Sequence, residues 1–237
     1  MSIAGPSPDA DPRAVGRDTP FVLAAVVTHP YAVTAICAAV LTIILMAWDP
    51  TPLARYLGDV SVTGLGGIAL GYVGLQYLRR KSGFRAQDAA ARAAPWILLG
   101  ASLFGGIIIV VDLSAPFPRE MNVAWPKSLL FYPAIAVYAE IAFHVIPLAL
   151  LVACRVRPDA SLWLVALIEP TFQTALGWGQ QPPLVTFYVW LHIFLFSRGQ
   201  LELFRRFGWT AMLGLRLAYY AVWHVAWGTL RLGLFPT

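Results

Sequence analysis

Charge is scarce in this sequence. Of its 237 residues only 12% are Asp, Glu, Lys or Arg and 59% are apolar, whereas an ordinary soluble domain is about 25% charged. A water-soluble globular protein is thereby excluded. Lysine is scarcer still: Lys81 and Lys127 are the only two, and both fall at the ends of apolar runs, where neither can form the mid-membrane Schiff base of a retinal protein. The two cysteines, Cys37 and Cys154, lie inside apolar runs without a CxxC or a Cys/His neighbour, so they read as small packing residues. Nor is a cleavable leader expected in the first twenty residues. Residues 1–20 mix Asp9, Asp11 and Asp18 with Arg13, Arg17 and four prolines, which lacks the basic-then-apolar order of a signal peptide and predicts a disordered cytoplasmic tail. No loop is long enough to fold into a basic surface, so the net charge of +5 does not point to nucleic acid.

What fills the chain instead is hydrophobic run. Seven can be delimited: Tyr31 to Trp48, Val60 to Leu78, Pro95 to Val111, Ser128 to Cys154, Ala160 to Trp178, Leu184 to Ser197, and Thr210 to Leu230. They predict an all-α fold, a polytopic transmembrane helical bundle of about seven spans over residues 21–237, integral to the membrane and expected in a bacterial inner membrane. The sixth run is short for a crossing, and either re-enters or extends past Arg198. Phe21 to Val27 is a further apolar stretch, set off from the first run by His29 and Pro30. With seven crossings, Arg13, Arg17, Arg79, Arg80, Lys81, Arg85, Arg92, Arg155, Arg157, Arg198, Arg205 and Arg206 fall on one side. Arg55, Arg119, Lys127 and Arg231 fall on the other. That imbalance places the N-terminus in the cytoplasm.

The first three spans hold almost no ionisable residue but many glycines, including a Gly67/Gly71 GxxxG pair, the signature of closely approaching helices. Trp48, Trp96, Trp125, Trp178 and Trp209 sit at span ends, where interfacial anchors are expected. Polar chemistry is confined to the last four spans. Glu140 and His144 share a helix face, Glu169 and Gln173 repeat that spacing, His192 is central in the sixth span, and Arg216, Tyr220 and His224 form a stripe on the seventh. Each mid-membrane charge costs about 2.5–3.5 kcal/mol on an insertion scale, so Glu140, Glu169 and Arg216 must face one another or water. Two acids against one fixed base require a protonated Glu or a cationic His. Pro147 and Pro170 each free a backbone carbonyl nearby, which predicts a small wet cavity among these helices.

The order of these polar residues resembles that of the CPBP (Abi) family of intramembrane glutamate proteases, which includes CAAX-processing enzymes. The family's EExxFRG motif is met by Ala139, Glu140, Ile141, Ala142, Phe143, His144 and Val145, with His144 in the Arg position. Its FxxxH motif is met by Glu169, Pro170, Thr171, Phe172 and Gln173, with Gln173 in the His position. Its final HxxxN motif is met by His224, Val225, Ala226, Trp227 and Gly228, which keeps the His and lacks the Asn. The resemblance covers residues 125–232. It implies a CPBP-like core and a metal-independent, cofactor-free intramembrane peptidase. In that reaction Glu140 would activate water against a membrane-embedded peptide carbonyl, and His224 would orient the water or the oxyanion. His144, His192 and Glu169 complete the candidate catalytic set, the last two as stand-ins for the missing motif-two His.

Two other readings compete. In one, the chain is a catalytically silent relative, an accessory or assembly subunit of a larger membrane complex, whose apolar faces and Trp-rich seventh helix meet other subunits or pigments. In the other, His144, His192 and His224 converge on a metal or tetrapyrrole.

Overall fold

The computed structural model describes residues 30–81, 84, 89–177, 179 and 181–234. The expectations for residues 1–20, for Phe21 to Val27 and for Trp178 lie outside the described residues. Among those described there are helices and no strand.

Proline, aspartate and glycine punctuate the chain. Helix α1 (Pro30–Trp48) opens on Pro30, whose missing N–H costs nothing at a helix start. Pro50 separates it from the short α2 (Thr51–Leu57). Gly58, at φ +63°, ends α2, and the Asp59 carboxylate then accepts a bond from Val62 N–H (3.1 Å) at the head of α3 (Val60–Arg79). Helix α4 spans Ala90–Ser114. A long rod follows, made of α5 (Ser128–Ala139), a π-helical turn (Glu140–Val145) and α6 (Ile146–Ala153). Helices α7 (Pro158–Ala166) and α8 (Ile168–Leu176) form a rod interrupted at Leu167, because Pro170 cannot donate to the Ala166 carbonyl. Helix α9 runs over Pro183–Phe207, so the sixth apolar run does extend past Arg198. The last rod is α10 (Trp209–Tyr220), a second π-helical segment (Ala221–Trp227) and α11 (Gly228–Leu234).

Among the described residues three helices are long and apolar enough to cross a membrane: Pro30–Trp48, Ala90–Ser114 and Ser128–Ala153. The pair Thr51–Leu57 and Val62–Arg79, bent by 56°, makes a fourth if it is one span. Their outward faces carry apolar residues where a protein in water carries charge, such as Ile43, Val62, Leu65 and Leu98, each about two-thirds exposed or more. That is the surface of helices solvated by lipid tails.

Helix α10 is the hub. It packs against α1, α4, α5 and α9, and Trp209, Met212, Leu213, Leu215, Arg216 and Tyr219 on it are all buried. Gly208, at φ +92°, makes the one-residue reversal that folds α10 back along α9. Close approach to the neighbours depends on glycine: a Cβ on Gly71 would lie 2.6 Å from the Tyr31 hydroxyl, one on Gly105 2.6 Å from Val222, one on Gly228 2.6 Å from Asn122 and one on Gly100 2.9 Å from Leu215. Gly67 has nothing within 4 Å, so only one member of the expected GxxxG pair is in a contact. Trp209 also departs from expectation. It is 1% exposed, packs edge-on to Tyr31 and donates to Thr34 Oγ1 (3.0 Å), so it belongs to the core and is no interfacial anchor, unlike the exposed Trp48, Trp96 and Trp125.

Candidate functional site

The π-helical turn at Glu140–Val145 lies just before Pro147, the proline that removes a backbone donor from the Phe143 carbonyl. Its widening presents Glu140 and His144 together to the bundle interior, and Glu140 Oε2 accepts from His144 Nδ1 at 2.6 Å. Across from this turn, the Gly208 reversal sets α10 against α9 so that Arg216 faces Gln200. The helix break at Leu167 aims Glu169 at the same point.

These elements meet in one ionic cluster. Arg216 Nε donates to Glu140 Oε1 (2.6 Å), while Nη1 and Nη2 grip the Glu169 carboxylate as a fork at 2.8 and 2.7 Å. Gln200 donates to Glu140 Oε1 and accepts from Arg216 Nη2 (3.1 Å). Gln173 and Ser197 donate to Glu169 at 3.0 and 3.3 Å, and Arg216 Nη1 also reaches the Tyr220 hydroxyl at 3.1 Å. His144 Nε2 is 3.8 Å from Glu169 Oε2 and has no hydrogen bond among the described residues. Glu140 and His144 are 0% exposed, Arg216 1% and Glu169 2%. Where a small cavity was expected, the described side chains are in mutual contact, with the guanidinium lying between the two carboxylates. An ion pair so buried is held by geometry and by its extra hydrogen bonds, since desolvation consumes most of the Coulomb gain.

The remaining two candidates lie elsewhere. His192 is bonded to the Tyr188 hydroxyl (3.2 Å) and the Tyr219 hydroxyl (3.3 Å), with Phe104 edge-on to its ring. His224 stacks on Tyr132 at 4.4 Å between ring centres, and its Nδ1 is 3.4 Å from Asn122 Nδ2. No hydrogen bond joins either histidine to Glu140 among the described residues. Of the five predicted residues, Glu140, His144 and Glu169 thus share one ionic cluster, whereas His192 and His224 adjoin it through Tyr219 and Tyr220, the latter edge-on to His224 at 4.9 Å and bonded to Arg216. The three histidines bond to different partners, His144 to Glu140, His192 to Tyr188 and Tyr219, and His224 to Asn122. Among the described residues no group of three or more His, Cys, Asp or Glu is placed to hold a metal ion.

His224 leads instead to a second buried ionic cluster that the sequence reading missed. Arg231 Nε donates to Asp112 Oδ2 (2.7 Å), Nη1 to Asn122 Oδ1 (3.1 Å) and to the Pro118 carbonyl (3.3 Å), and Nη2 to the Phe117 carbonyl. Asp112 also accepts from Phe117 N–H and Trp227 Nε1, both at 2.8 Å. Asp112 is 0% and Arg231 2% exposed. Arg231 is therefore a structural cation within the bundle and not one of the loop charges that orient the chain. The tryptophans of the last rod are also spent inside, Trp223 at 2% exposure and Trp227 on Asp112, so this rod does not present the Trp-rich docking face expected of it. The one signal available in the sequence was an Asp one residue beyond an apolar run, with a matching Arg at the far end of the chain.

Comparison with protein-family models, with curated proteins and with solved structures gave no match to this chain.

Proposed function

We propose that the chain is a polytopic membrane protein of about seven spans, basic loops in the cytoplasm, whose CPBP-like core is catalytically silent and serves as an accessory or assembly subunit of a larger membrane complex. One observation carries the reading. Glu140, the residue that would activate water, has Oε1 occupied by Arg216 and Gln200 and Oε2 by His144, at 0% exposure. A general base needs a free lone pair within hydrogen-bond reach of its proton donor. Here every contact of the carboxylate is structural, and the histidine that would complete the reaction bonds to Asn122. Two of the rods beyond the apolar three are read as spans on their partners: the last supplies Arg216, the counter-charge of Glu140 in the Ser128–Ala153 crossing, and α9 supplies Gln200 to the same carboxylate.

The test is complementation by full-length variants in a strain whose loss of this protein has a phenotype. Glu140→Gln removes one carboxylate and leaves Arg216 still forked by Glu169, so it should fold, support growth and co-purify with the same membrane partners in mild detergent. Loss of function by Glu140→Gln at unchanged protein level would restore the peptidase reading and overturn this one. A chain that purifies alone from membranes while its function persists would count against the subunit role.

A further inference from the structure

One face of α9 changes character along its length. Phe187, Trp190 and Phe194 are followed at helical spacing by Arg198, Glu202, Arg205 and Arg206. At the basic end, three guanidiniums surround a single carboxylate: Arg198 Nη1, Arg205 Nη2 and Arg206 Nε contact Glu202 at 3.1, 2.6 and 2.5 Å. Arg205 also reaches Asp159 at 2.6 Å, which leaves the cluster one positive charge in excess. The two terminal nitrogens of Arg206, on a side chain 64% exposed, have no hydrogen bond among the described residues. Arg198 lies over the Trp163 ring at 4.7 Å, Trp163 packs on Phe194 at 5.9 Å, and Phe194 stacks on Trp190 at 5.4 Å. Beyond Trp190 the strip opens into a largely apolar cleft of about 410 Å³ bordered by Thr174, Pro183 and Phe187.

We propose that this seam between α7/α8 and α9 is a binding site for one anionic phospholipid, its phosphate on Arg198 and Arg206 and one acyl chain along Trp163, Phe194 and Trp190 into the cleft. Charge and length both select that occupant. Guanidiniums with unspent donors match a phosphate, and basic residues at a span end attract anionic headgroups. From Arg198 to Phe187 the helix rises about 16 Å at ~1.5 Å per residue, close to half of the ~30 Å hydrocarbon thickness, the reach of one leaflet's chain. The inference rests on α9 crossing the bilayer, which the proposed function requires.

The full-length protein in neutral detergent, mixed with phosphatidylglycerol or phosphatidylcholine of identical chains and read by native mass spectrometry, tests it. One phosphatidylglycerol should bind about tenfold more tightly than phosphatidylcholine. The double variant Arg198→Ala, Arg206→Ala should erase that preference, and Arg206→Gln alone, which disturbs the fold least, should reduce it. Trp190→Ala should weaken both lipids equally. Arg55→Ala, on the opposite side of the bundle, should change neither. Equal binding of the two lipids by the unaltered protein overturns the proposal, as does an Arg55→Ala effect as large as that of the double variant. Extraction of the chain from membranes by carbonate would instead sink the membrane reading beneath it, a result separable from lipid preference.

Discussion

Arg216 and Arg231 sit on the same helical rod and are buried to the same degree, 1% and 2% exposed, yet they are neutralised differently. Arg216 is held by carboxylates from two other rods, with Gln200 and Tyr220 taking the remaining donors. Arg231 meets one carboxylate, Asp112, and spends its other donors on Asn122 and on the carbonyls of Phe117 and Pro118. The first arrangement ties distant helices together through side chains, with two carboxylates converging on one cation. The second uses a guanidinium to satisfy backbone where α4 has ended at Ser114 and the chain turns, a task any buried chain end imposes. Two buried arginines thus do different work: one sets which helices meet, the other seals a helix end.

Four measurements press on that comparison. Arg216→Met leaves Glu140 and Glu169 facing each other without a cation, and breaking a buried pair in this way costs about 3–5 kcal/mol. It should give the largest fall in melting temperature in detergent, or prevent accumulation, with Arg216→Lys recovering part. A wild-type melt for Arg216→Met would show that the cluster is not ionic. Arg231→Met is expected to cost less, about 2–3 kcal/mol on the scale of charge-assisted hydrogen bonds, because Asp112 keeps its bonds from Phe117 and Trp227. If it destabilises as much as Arg216→Met, the two arginines play the same part.

Gly105→Ala comes third. It forces a methyl against Val222, in the π-helical segment between the two arginines, at about 1–3 kcal/mol for overpacking. Val222→Ala should restore most of the loss in a double-mutant cycle. Smallest of all is Lys127→Ala, which removes a partly exposed pair, Lys127 to Asp49 at 2.5 Å. The hydrogen bond from Lys127, helped by Thr51, holds the Asp49 carboxyl below the usual carboxylate range. Whatever stability the pair adds is present at neutral pH and fades as pH falls through that depressed value. Carbon NMR should show the Asp49 titration moving up toward the ordinary range in the variant, with no measurable change in melting temperature.

The contrast also explains which features were legible in the sequence. Glu140, His144, Glu169 and Arg216 stand in apolar surroundings, so each announced itself by its insertion cost, and the structure gathers all four. The helical class followed from composition on the same grounds. Asp112 and Arg231 were missed because a charge at the edge of an apolar run costs little and reads as an interfacial residue; only the folded chain shows that both turn inward. His192 and His224 were misgrouped because helical spacing fixes a face but not the neighbour that face meets. Pro147 and Pro170 marked real breaks, whereas the second π-helical segment contains no proline and gave no warning.

The Gly208 reversal has a consequence for how the protein is made. Glu140 and Glu169 are synthesised before Arg216, so two acidic helices enter the insertion machinery without their cation. They lack that partner until the last rod is made and turns back at Gly208. Closure of the ionic core is therefore a late event, and a nascent chain halted short of that turn lacks the guanidinium that neutralises both carboxylates and can become neutral there only by taking up protons.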